Sequence, residues 1–170
     1  ARWDVTVDES MQRIRGTTAA LISAATRIGA ILGTDDASAI AAFTRFGENI
    51  GIAFQITDDI LGSWGDPAIT GKSAATDILS KKKSLPAIYG LSHPQHGEAL
   101  RAIYSQPRLT HSDVARVLVL LHDIGAREYA QQKADEFRAA AHAALDETGI
   151  KNRAMDKLRD AAELMTRRVR

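Results

Sequence analysis

Apolar residues recur along this chain at spacings of three and four, the period of a helix buried on one face, and nowhere alternate as they would in a strand. Met11, Ile14, Leu21, Ile22, Ala25, Ile28 and Leu32 form one such face and predict a helix over about 7–32. Thr6 followed by Glu9 reads as its capping box. Gly16 interrupts the pattern at Arg15-Gly16-Thr17-Thr18, where a kink or a close backbone approach is expected. Gly33 is a stop signal, Thr34 a candidate cap, and Asp35-Asp36 suits the positive end of a following helix. Ile40, Phe43, Phe46, Ile50, Phe54, Ile60 and Leu61 then predict a second long helix from Ala37 to Trp64. Gly47 and Gly51, four apart on one face, predict close packing of another helix, and Gly65-Asp66-Pro67 ends the element.

The remainder reads in the same way. Residues 66–73 are expected to be a loop and 76–80 a short helix. Ser84 is a candidate cap for a helix opening at Leu85-Pro86 and ending near Gly90-Leu91. Ser92 to Gly97 reads as a surface loop carrying His93 and His96. Glu98–Ser105 predicts a short helix closed by Pro107, and Ser112 a cap for a helix to about Ile124. A long alanine-rich helix over 126–145 follows, then a last one opening at Asn152 with Met155, Leu158, Ala162 and Met165 inward. The predicted fold class is all-α.

Composition sharpens this picture only a little. With 170 residues, 45% hydrophobic and 5% aromatic, the chain is expected to form one domain of closely packed, alanine-rich helices. A net charge of +1 provides no global field for nucleic acid. The absence of cysteine excludes a disulfide framework and thiolate chemistry. No apolar run reaches the roughly 18 residues of a membrane span. Neither a membrane segment nor a signal peptide is expected, and a cytoplasmic location follows as an expectation. The chain opens on Ala1, so either an initiator methionine has been removed or more sequence precedes it.

Candidate chemistry is concentrated in Phe54-Gln55-Ile56-Thr57-Asp58-Asp59-Ile60-Leu61-Gly62 and the segment after it. Two adjacent carboxylates near a core repel each other, and a hard divalent cation relieves the conflict. Gln55 lies one turn before the pair on nearly the same face. A cationic stretch follows: Thr70-Gly71-Lys72, then Asp77, then Lys81-Lys82-Lys83-Ser84-Leu85-Pro86. Acid pair, glycine, lysine, acid and lysine run suit a metal-bridged diphosphate. The alternative is a helix with solvated acids beside a charged surface loop.

These residues also carry a family likeness. The FQ-x-x-DD core, the GDP-x-x-x-GK loop and the KKSLP step, in that order, resemble the second aspartate-rich region of trans-isoprenyl diphosphate synthases, the polyprenyl synthetase family. The likeness runs from about Val5 to about Leu91. It implies an all-α chain forming part of an isoprenoid-synthase-type helical bundle, with residues 1–170 as the C-terminal half of such a domain. Three departures from the family pattern stand out: Gly62 replaces a third aspartate, Thr17-Thr18 stand where Lys-Thr is usual, and the first aspartate-rich motif is absent.

The resemblance implies Mg2+-dependent condensation of isopentenyl diphosphate with an allylic diphosphate. In that reading Asp58, Asp59 and Asp77 are metal ligands, and Lys72 and Lys82 hold diphosphate. Thr18 and Gln55 are polar contacts near the reacting groups, and Asp58, Asp59 and Lys72 take the catalytic roles. One acid cluster is half of the family's site. Upstream sequence, or a homodimeric or heteromeric partner bearing the first motif, is therefore expected. The alternatives are a noncatalytic or regulatory subunit of a prenyl synthase, and a related class I terpene synthase.

Overall fold

The computed structural model describes residues 4–65 and 75–167. Among them every regular element is helical: α1 (Val7–Ile14), a π-helical turn (Arg15–Ala19), α2 (Ala20–Gly33), α3 (Ala37–Trp64), α4 (Thr76–Leu79), α5 (Leu85–Ser92), α6 (Gly97–Tyr104), α7 (His111–Asp123), α8 (Ala126–Asp146) and α9 (Arg153–Thr166). No described helix is long and apolar enough to cross a membrane.

Local signals account for most of the boundaries. Thr6 and Glu9 form the expected capping box, with Thr6 N–H donating to Glu9 Oε2 at 2.8 Å and Glu9 N–H to Thr6 Oγ1 at 3.1 Å. The interruption expected at Gly16 is the π-helical turn between α1 and α2, a wider turn inserted into a continuous helical path. Asn152 caps α9 through Met155 N–H at 3.0 Å. Two predicted caps are corrected. Asp36, rather than Thr34, caps α3: its Oδ1 accepts from Ser38 N–H at 2.8 Å while Thr34 Oγ1 accepts from Asp36 N–H at 3.1 Å. Thr110, rather than Ser112, caps α7, because Asp113 completes a capping box with it at Thr110 N–H (2.9 Å).

The chain divides into two compact units, each with its own core. The first comprises Asp58–Gln132 with the N-terminal stretch up to Met11. Its core gathers Ile78, Leu91, Leu100, Ile103, Tyr104, Val117 and Leu121 where α4, α5, α6 and α7 meet. Each fully buried leucine or isoleucine there contributes roughly 1.5–3 kcal/mol of burial.

The second unit comprises Gln12–Thr57 and the stretch from Lys133 onward. Phe46 and Ile50 of α3 pack with Ala141, Leu145, Met155 and Ala162. Gly47 and Gly51 do what their spacing predicts. A Cβ at Gly47 would lie 2.1 Å from Thr26 Oγ1, and one at Gly51 would lie 2.6 Å from Ala19 Cα. The apolar face predicted for the first helix is corrected in part. Ile14 is buried, but Leu21, Ile28 and Leu32 are 74%, 58% and 84% exposed. Periodicity identified the stripe correctly, yet no described part of this unit covers it.

Candidate functional site

The last turns of α3 place Asp58 and Asp59 beside two later pieces of chain, α4 and the segment entering α5. Three carboxylates meet on one ammonium there. Lys82 Nζ lies 2.9 Å from Asp77 Oδ2, 3.1 Å from Asp59 Oδ1 and 3.4 Å from Asp58 Oδ2. The side chains grade from inside to outside: Asp59 is 4% exposed, Asp77 15% and Asp58 37%. Burial opposes the charge on Lys82, but hydrogen bonds to Asp77 and Asp59 and the charges of both outweigh it, so its pKa is held well above the ordinary 10.5.

Asp59 has a second task. Its Oδ2 accepts from Leu85 N–H at 2.8 Å, at the start of α5. Ser84 occupies the N-cap position of that helix, yet its side chain makes no capping bond. The expected Ser84 cap is therefore corrected: a buried carboxylate from α3 satisfies the first free N–H of α5. Pro86 sits in the first turn, where its missing N–H leaves nothing unsatisfied. Below the cluster Tyr104 is buried, and burial first, then the charge of Asp77, pushes its hydroxyl pKa up.

Gly62 lies four residues after Asp58 and three after Asp59, on the same face of α3. A Cβ there would fall 2.2 Å from Asp77 Oδ2 and 2.3 Å from its Cγ. The lysine run is split by function. Lys81 donates to the carbonyls of Gln106 and Pro107, while Lys82 turns to the acids.

In the second unit, Thr18 Oγ1 donates to Gln55 Oε1 at 2.7 Å, so these two candidate residues are joined. Thr17 Oγ1 donates to Arg13 O at 2.9 Å, one turn back on its own helical path. Lys72, together with 66–74 as a whole, lies outside the described residues. Of the histidines singled out earlier, His93 Nδ1 accepts from Gln95 N–H at 3.3 Å and His96 Nε2 stands 3.5 Å from Asp123 Oδ2. Sequence reasoning missed the Leu85 N–H, Tyr104 and the space at Gly62. Only Gly62 carried a signal, as a glycine within the acid face of a helix.

The donor chemistry suits a hard divalent ion, since the three side chains offer only carboxylate oxygens and a cation already sits between them. Among the described residues no three histidine, aspartate or glutamate side chains stand ready as an open metal cage. The aspartates close around the ammonium instead.

The fold is all-α and of the isoprenoid-synthase type. It matches geranylgeranyl pyrophosphate synthetase from Pyrococcus horikoshii with a TM-score of 0.86 and 31% identity, over 97% of this chain and 50% of that one. It also matches geranylgeranyl pyrophosphate synthase from Corynebacterium glutamicum complexed with isoprenyl diphosphate and magnesium, with a TM-score of 0.85 and 31% identity, over 96% of this chain and 47% of that one. The family model described as polyprenyl synthetase matches residues 1–121. A geranylgeranyl diphosphate synthase of Mycobacterium tuberculosis is 41% identical over 144 residues, 84% of this chain and 41% of its own length. The chain belongs to the polyprenyl synthetase family, and it spans about half the length of the relatives it matches.

Proposed function

We propose that the chain is the C-terminal half of a Mg2+-dependent trans-prenyltransferase that condenses isopentenyl diphosphate with an allylic diphosphate into a longer polyprenyl diphosphate. The observation that carries this reading is the convergence of Asp58, Asp59 and Asp77 on one cation. The magnesium and isoprenyl diphosphate in the Corynebacterium glutamicum complex support it. Asp58, Asp59 and Asp77 would hold the metal, and the motif around them is read as the second aspartate-rich region.

Mg2+, held by Asp58, Asp59 and Asp77, would supply positive charge to stabilise the diphosphate leaving group. This chain's own residues supply the rest. Asp59 is fixed by Leu85 N–H, which holds one oxygen and leaves the other turned to the cation. Lys82, with Lys72, would offer ammonium groups to the leaving pyrophosphate. In the second unit, Thr18 and Gln55 orient each other through their hydrogen bond. A partner chain or upstream sequence carrying the opposing aspartate-rich motif completes the site. A homodimer or heteromer in the cytoplasm is the assembly in view.

A second reading, a noncatalytic or regulatory subunit, draws on Thr17. Its hydroxyl is occupied by the Arg13 carbonyl and brings no charge. A related class I terpene synthase would use the same ionisation and close the cation on itself.

The test is an assay of isopentenyl and labelled allylic diphosphates with this chain, alone and mixed with a chain bearing the opposing motif. Chain elongation that needs Mg2+ and is lost in the Asp58→Asn/Asp59→Asn variant supports transfer. Diphosphate binding without elongation in either mixture favours the subunit reading. A cyclic product from the allylic diphosphate alone favours the terpene synthase. Binding unaffected by the double substitution removes the aspartates from the site.

A further inference from the structure

We propose that Gly62 is a positioning residue: by carrying no side chain it admits Asp77, from α4, as the third carboxylate of the cluster, in the place that a side chain at position 62 would take. The assignment deepens the prenyltransferase reading where metal binding is concerned, and stands on geometry alone where the cluster itself is concerned.

Three observations converge. Position 62 shares the face of Asp58 and Asp59, so any side chain there would project among their oxygens. That space is filled instead by the whole Asp77 carboxylate, whose Oδ2, Cγ and Oδ1 would lie 2.2, 2.3 and 2.7 Å from a Cβ on Gly62. The same Oδ2 makes the shortest of the three contacts to Lys82, at 2.9 Å. Asp77 is therefore both next to the empty position and the acid nearest the ammonium.

The backbone on either side of Asp77 is unusual. Ala75 and Lys81, on either side of the four-residue α4, both have φ of 55°, in the left-handed region that residues with a Cβ rarely enter. Such conformations are costly and persist where surrounding contacts enforce them. The ion pair of Asp77 with Lys82 is one contact that does so, and the burial of Ile78 in the first unit's core is another. A third acid contributed by a separate segment couples the end of α3 to the approach to α5. An acid on α3 itself would not.

The test is a double-mutant cycle on the 170-residue chain, read by chemical unfolding: wild type, Gly62→Ala, Asp77→Ala, and both together. Gly62→Ala alone should destabilise, because its Cβ evicts the carboxylate. In the Asp77→Ala background the same substitution should be neutral or stabilising, since alanine is the better helix former. Equal effects in both backgrounds would overturn the proposal. Calorimetric titration with Mg2+ provides the second readout. Gly62→Asp should bind about tenfold more weakly than wild type although it adds an acid, and Gly62→Asp/Asp77→Ala should recover most of that loss. Tighter binding by Gly62→Asp would overturn the proposal. If wild type binds no Mg2+, the metal reading falls, and the unfolding cycle still decides the placement of Asp77.

Discussion

The chain contains the dipeptide Asp-Asp twice, and the two copies live in different chemical worlds. Asp35-Asp36 is exposed between α2 and α3. There Asp36 Oδ1 accepts from both Ser38 N–H and Ser38 Oγ at 2.8 Å. Those bonds hold its pKa below the usual carboxylate value. Its partners lie two or three residues away, and the whole device is local. Asp58-Asp59 meets Lys82, and Asp59 also accepts from Leu85 N–H, groups brought in by later elements. The same two residues make a helix cap in one place and the centre of a charged cluster in the other. What separates them is burial and the company that tertiary packing supplies.

The comparison breaks most visibly at Asp59. Asp59→Ala removes an acceptor from the Leu85 N–H and leaves Lys82 short of a partner, inside the fold. Breaking a buried pair in this way costs about 3 kcal/mol, measurable by urea unfolding. A loss below about 1 kcal/mol would place the pair with ordinary surface acids.

The next effect concerns Lys82. Lys82→Met keeps the stem and removes the charge, so three aspartates are left facing one another. The variant should melt lower than wild type without metal and gain more from millimolar Mg2+. Equal Mg2+ shifts in the two proteins would show that the ammonium and the metal do not share these oxygens. The sign with pH follows from the raised pKa. The ion-pair contribution is complete below the ordinary lysine value of 10.5 and is lost only as pH rises through the higher folded value.

Asp36→Ala should have the smallest effect, a fall in Tm of about 2–4 °C at neutral pH. The folded pKa of Asp36 is depressed, so this contribution is present above the ordinary 3.8 and is lost as pH falls through the folded value. The gap in Tm between wild type and variant should therefore close in acid. It should also ignore Mg2+, and a Mg2+-dependent gap would give Asp36 a role in metal binding.

Most helix boundaries were legible because their signals are local. The Thr6–Glu9 box, the stop at Trp64-Gly65 and the Asn152 cap all depend on groups within a few residues. Even the misread caps erred locally: Thr34 for Asp36, and Ser112 for Thr110. The Gly47 and Gly51 contact was legible too, since two glycines one turn apart leave a groove on any helix. Ser84 was misread for another reason. Its place at the N-cap is correct, but the acceptor that serves Leu85 comes from Asp59, distant in sequence. Leu21, Ile28 and Leu32 failed in a related way, because a period names an apolar face without saying what covers it.

By itself the sequence determined that this protein is helical, where most of its helices start and stop, and which acids and lysines are candidates for diphosphate chemistry. Those properties depend on period, capping and side-chain type, all of which act over one or two turns. Only the tertiary structure decided that Asp77 fills the space at Gly62, that Lys82 rather than Lys81 faces the acids, and that Asp59 caps α5. Each of these pairs residues far apart in the chain, and the packing of separate helices around a shared core sets which groups meet.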